Sequence, residues 1–199
     1  SDGQVLTSTG AGSPPAFEDA GGGAWTFLNR QAVSGVANID FDSAQGVDLS
    51  TYEIYMFTWQ EMTLAGDGNI NFRLSDDNGS SFYTSGYAYA FHHIDEDGTE
   101  ANAGATSENT MYITQGNFGS STHSQGMLYW YTTPSSTNTQ SNIRGDVNWI
   151  DLAGDTARSA GTAGRTSAPD SGGYDGLRFH SNNGGNLTGT VTMYGLKKS

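Results

Sequence analysis

The sequence predicts an all-β fold, an antiparallel β-sandwich preceded by a short segment of different character. Three observations predict it. Aromatic and β-branched residues gather in short runs separated by Gly, Ser, Asn and Asp, as strands and turns require. Several of those runs alternate apolar and polar residues with period two. No stretch carries the 3.6-residue periodicity of an amphipathic helix.

Taken in order, residues 1–20 stand apart. They hold one apolar pair (Val5, Leu6), a Gly-rich turn, Pro14-Pro15 and Phe17. A piece this small buries no core of its own, so it must pack on the main domain or on copies of itself. Gly21-Gly22-Gly23 then acts as a hinge, dividing the chain into a segment at 1–20 and a sandwich at 21–199. Ile39 and Phe41 alternate with Asp40 and Asp42 in a first short strand. Residues 52–64 (YEIYMFTWQEMTL) are apolar on both faces near Ile54–Phe57 and read as a central strand. The turn Gly66-Asp67-Gly68 follows, and Ile70, Phe72 and Leu74 then form a half-buried strand, expected to pair with its predecessor as a hairpin.

Tyr87, Tyr89 and Phe91 alternate in the same way, as do Leu177 and Phe179. Further strands are expected at 111–113, 127–131, 147–152 and 187–196, and long loops at 94–109, 116–124, 133–142 and 153–175. The total is eight to ten strands, which at this length favours a jelly roll over an immunoglobulin-like arrangement.

Composition narrows the function classes. Glycine, at 28 of 199 residues, is about twice its usual share. A formal charge of −13 argues against binding nucleic acid or an anionic membrane, because self-repulsion precedes any contact. No apolar run is long enough to span a bilayer. The absence of cysteine excludes disulfides and thiolate metal sites. The chain opens Ser1-Asp2-Gly3 without Met, which reads as a trimmed chain or the end of a longer one.

The motifs favour structure over catalysis. Ser75-Asp76-Asp77-Asn78-Gly79-Ser80-Ser81-Phe82 fits the Asp-box pattern, in which Asp77 accepts backbone N–H groups, Gly79 takes φ > 0 and Phe82 pins a hairpin to the core. His92 and His93 point to opposite faces of a strand and do not readily share an ion. The acidic loop after them offers Asp95, Asp97 and Glu100 as a weak calcium candidate, without the full twelve-residue pattern. Asp40 and Asp42 could approach as a glycosidase pair requires, but a solvated strand face explains them. No nucleophile elbow, phosphate loop or zinc-protease motif occurs, so no enzyme and no resident cofactor is expected.

The rings are the more informative class: 4 Trp, 10 Tyr and 9 Phe. Tyr112, and Trp130 or its neighbours Tyr129 and Tyr131, are expected opposite the core set. With His92 and Asn117 they are the candidates for contact with a glycan or receptor. Subunit packing would use the same rings.

A family likeness enters through particular residues. The opening GQVLTSTGAGSPPAF (3–17) resembles a segment of the form GQVLTSxGxGxxPxW that recurs in bacteriophage tail fibres and virion appendages, with Phe17 in the place of Trp. YEIYMFTWQEM (52–62), FRLSDDNGSSFYTSGYAYAF (72–91) and GLRFHSNNGGNLTGTVTMYGLKK (176–198) look like the jelly-roll domain at the ends of such fibres. The resemblance implies a protein of the virion surface, usually trimeric, that attaches to host cells or decorates the particle. In that setting Val5, Leu6 and Phe17 would serve oligomerisation. The partners implied are sister chains, other virion proteins and a host cell-surface glycan. No catalytic residue follows from it.

Overall fold

The computed structural model describes residues 4–7, 12, 16–19, 24–112, 114, 122–132, 141–150, 156–165 and 173–198, with backbone alone at 4–7, 16–19 and 156–160. Fourteen strands and one 3₁₀ turn make up this set. The strands are β1 (Gln4–Thr7), β2 (Ala16–Asp19), β3 (Trp25–Val36), β4 (Asn38–Phe41), β5 (Tyr52–Leu64), β6 (Ile70–Ser75) and β7 (Tyr87–Asp95). Beyond them come β8 (Glu100–Glu108), β9 (Met111–Tyr112), β10 (Ser124–Tyr131), β11 (Ser141–Ile150), β12 (Thr156–Arg165), β13 (Gly176–Ser181) and β14 (Leu187–Lys197). No helix of the described residues is long and apolar enough to cross a membrane.

The protein is an antiparallel β-sandwich of unequal layers. One sheet has eight strands in the order β3-β14-β5-β10-β11-β12-β7-β8, and the other has four, β4-β13-β6-β9. Among the described residues β1 and β2 pair with each other alone, Leu6 opposite Phe17 and Val5 opposite Glu18. The strand count exceeds the expected eight to ten because β8 and β12 fall inside stretches read as loops.

Alternation along β5 puts Tyr55, Phe57 and Trp59 on the inner face, all essentially buried. Rings from the small sheet meet them edge-on. Phe41 lies 5.0 Å from Phe57, and Phe179 lies 5.7 Å from Phe57 and 4.5 Å from Phe72. Burying such rings in offset or edge-to-face pairs stabilises the sandwich beyond the area they remove from water. The polar ends of the larger rings are satisfied across the core. Trp59 Nε1 donates to Ser124 Oγ at 3.0 Å, passing over Gly126, where a Cβ would fall 2.3 Å from the indole.

Two expectations about pairing are overturned. β5 and β6 are not a hairpin: β5 lies between β14 and β10 in the large sheet, and β6 between β13 and β9 in the small one. The turn at 66–68 therefore carries the chain from one layer to the other. The Asp box likewise joins β6 to β7 across the two layers and closes no hairpin. Its carboxylate chemistry is as expected: Asp77 accepts from Ser81 N at 2.8 Å, from Ser81 Oγ at 2.6 Å and from Ser75 Oγ at 2.7 Å, and Gly79 has φ 77°. The Ser81 and Ser75 hydrogen bonds hold the Asp77 carboxyl down at about 2. Phe82 does not enter the core. It lies half-buried beneath the Arg178 guanidinium, 3.9 Å from the ring centre.

Candidate functional site

The large sheet presents an outer face that no other described strand covers. Register places residues of equal phase side by side across its strands. One row runs Phe27, Tyr194, Met56, Tyr129, Arg144, Thr162, Ala90 and Gly104. The next runs Thr192, Thr58, Met127, Asp146, Ala160, His92 and Asn102.

The two halves of this face differ in chemistry. Toward β3 it is aromatic: Phe27 meets Tyr194 edge-on at 6.0 Å, and Trp25 meets Tyr129 at 5.8 Å. Phe27 is 58% exposed and Tyr131 39%. Toward β8 the face is polar and low, because Ala88, Ala90, Gly104 and Gly164 raise no side chains above it. Three grooves lie along the face, two of them sharing Ala90 and Thr162 and one over β5, β10 and β11. One of about 500 Å³ is bordered by Thr58, Gln60, Gln125, Asp146 and Asn148. The second, about 450 Å³, runs along Ala90, His92, Asn102, Arg144 and Thr162, and the third, about 330 Å³, along Ala88, Thr106, Asn142 and Gly164. Amides, hydroxyls, an imidazole and a guanidinium thus line a shallow trough beside a bank of rings.

A separate cavity of about 510 Å³ sits at one end of the sheet, where β5, β7, β10 and β11 meet the loops. Glu61, Asp95, Glu96 and His123 border it, with Trp149 and the exposed Ile94 and Ile150. Glu61 has φ 52°, at a bulge where β5 slips against β14. Gly189 lies across that slip, its missing Cβ leaving room for Met62 Cα at 2.9 Å.

The residues expected to form the site are dispersed. Trp130 corrects the outward reading: it is fully buried, its indole N–H donating to Ser141 Oγ at 2.6 Å and its ring 5.4 Å from Tyr55. Tyr129 and Tyr131, of opposite phase, take the outer face. Tyr112 is half-buried against Tyr89 at 5.1 Å, beside Phe91, so its ring is occupied by the fold. His92 does lie in the trough, with its Nε2 3.4 Å from a Glu100 carboxylate oxygen. Asn117 falls outside the described residues. For Val5, Leu6 and Phe17 the backbone pairing of β1 with β2 is what the structure describes.

The calcium candidates do not converge. Asp97 is held by Thr99, whose hydroxyl first and backbone N–H second, the latter at 2.7 Å, lower its pKa, while Glu100 reaches His92 and Asp95 lies 4.0 Å from His93 Nε2. Among the described residues no three His, Asp or Glu side chains gather as ligands. Asp40 and Asp42 are committed to the fold: Asp40 takes a bidentate pair from Arg178 at 2.7 and 2.6 Å, and Asp42 caps the 3₁₀ turn through Ala44 N.

What the sequence reasoning missed is the trough itself. Its polar floor comes largely from β8, β11 and β12, and β8 and β12 lie in stretches whose Gly, Ser and Thr content predicts loops. Register could not be assigned without them. Comparison with models of known protein families and with curated protein sequences matches none.

Proposed function

We propose that this chain is a non-enzymatic appendage domain of a bacteriophage virion, active as a trimer, whose large-sheet outer face binds a glycan on the host-cell surface. The observation that carries the binding part is the trough: amide, hydroxyl, imidazole and guanidinium groups from neighbouring strands, beside the rings Tyr129 and Tyr131. Rings offer their faces to sugar C–H groups, while amides and hydroxyls satisfy the hydroxyls that lose water. The fibre assignment rests on the likeness of residues 3–17 and of the three later stretches to phage fibres.

The strand order supports the jelly-roll reading. β3-β14-β5-β10 face β4-β13-β6-β9, with consecutive strands crossing between layers, as two interleaved Greek keys require. β7-β8 and β11-β12 then extend one layer, and the trough lies over that extension.

A single shallow groove binds weakly. Three copies on one axis raise avidity by orders of magnitude without new contacts, provided the sites can engage together. A glycan array probed with the multivalent chain tests the reading. Binding is expected, and an Ala90→Trp variant, which fills the trough without touching the core, should abolish it. A second reading, a decoration or fibre protein without a receptor, is favoured by the exposed rings Phe27 and Tyr131, which suit subunit packing. An array blank at high valency would establish that reading in place of the first.

A further inference from the structure

We infer that the trough selects an acidic glycan, with Arg144 as the residue that grips its carboxylate; this rests on the glycan-binding reading above. The argument starts from where the protein spends its few cations. The chain has eight Lys and Arg residues, and among the described side chains four are tied to protein groups. Arg178 pairs with Asp40, Arg165 donates to Tyr174 and lies over Tyr83, Arg73 donates to Asn109 O, and Lys198 to Leu49 O. Each of these interactions ties one element to another.

Neither Arg30, exposed on β3 opposite Thr192, nor Arg144 is among these, and Arg144 borders a groove. It lies on β11, the fifth of the eight strands, in the middle of the outer face, and its side chain is exposed. Among the described residues no hydrogen bond or ion pair reaches its guanidinium. Tyr129 stands beside it on β10 and Thr162 on β12, and it borders the 450 Å³ groove with His92 and Asn102. A guanidinium offers two parallel N–H donors that match a carboxylate fork, which a neutral hydroxyl does not. Covering this charge with a neutral sugar would remove it from water without a counter-ion, which costs affinity. An anionic group in the ligand offsets that cost.

The charges around Arg144 limit how acidic the ligand is. Asp146 lies two residues along the same strand, Glu100 holds His92, and the whole chain carries −13. A dense polyanion is repelled by this field. The arrangement fits one carboxylate per repeat, flanked by neutral sugars that lie on the Ala90 and Gly164 floor.

The test is titration of the full chain with an oligosaccharide alternating a hexuronate and an N-acetylhexosamine, against its carboxyl-reduced neutral counterpart. The acidic form is expected to bind about ten-fold tighter or more, and the gap to narrow as salt rises. Arg144→Gln should erase the difference between the two forms, while Arg144→Lys keeps part of it. Arg144 is exposed, so neither variant disturbs the core. Equal affinity for the two forms, or an Arg144→Gln variant that still prefers the acid, overturns the acidic selection and leaves glycan binding intact. Failure of both probes while neutral sugars bind on the array overturns it as well. Failure of every glycan overturns both readings.

Discussion

His180 shows how one buried side chain can set the pH range of the fold. It lies on β13 with Nδ1 3.0 Å from Ser181 O and Nε2 2.8 Å from Thr110 Oγ1. A carbonyl only accepts, so the neutral ring carries its proton on Nδ1, and Nε2 shares the single Thr110 hydroxyl proton with Phe72 O, 2.9 Å from the same Oγ1. Burial is the main reason its pKa drops from 6.5 to about 4, and the nearby Arg73 and Arg178 lower it further. Between those values the unfolded chain binds a proton that the folded chain refuses, so stability falls as pH drops from 6.5 and levels off below about 4. The full shift corresponds to about 3 kcal/mol. Denaturant melts from pH 7.5 to 4 should show that slope, and His180→Gln should flatten it; an unchanged slope in the variant would rule the residue out as its source. The same scale shows what the sequence concealed. The Asp box was legible because Ser75, Asp77, Gly79 and Ser81 act locally, within one turn. Trp130 was not, since Tyr129, Trp130 and Tyr131 are all aromatic and the run itself does not say which phase meets the core.

Strands that build the core announced themselves, and strands that build the trough did not. β5, β6 and β14 carry rings and branched residues because both their neighbours and the opposite sheet press on them. β8 (EANAGATSE) and β12 (TARSAGTAGR) are mostly Ala, Gly, Ser and Thr, a composition shared with turns. What makes them strands is pairing with β7 and β11, a non-local cause that short-range alternation does not register. The misread hairpin has a related origin: a tight Gly-Asp-Gly turn fits a hairpin and a crossing between layers equally well. Layer assignment also predicts dynamics. β8 is an edge strand, half of whose residues are exposed, while β5 and β14 are flanked on both sides and cover the core. Backbone amides of β8 should therefore exchange with deuterium at least ten-fold faster than those of β5. Equal protection across the large sheet would mean that something else covers that edge.

At the scale of the whole molecule, the acidic charge and the small N-terminal strands pull in opposite directions. Copies each carrying −13 repel, so association must come from apolar contact. β1 and β2 have four residues each and, among the described residues, pair with one another alone, and an isolated two-stranded ribbon is marginal in water. Three such ribbons packed on one another would bury apolar surface that one cannot. The expected species in light scattering is then a trimer of the 21.0 kDa chain, and it should tighten as salt screens the repulsion between copies. Replacing Val5 and Leu6 together by Asp should give a monomer whose thermal melt is nearly unchanged, because the sandwich core lies elsewhere. That monomer should keep its single-site affinity for sugar and lose its avidity for a glycan-coated surface. A wild-type chain that is folded and monomeric at micromolar concentration would remove the proposed trimer, and with it the avidity on which the proposed glycan binding depends.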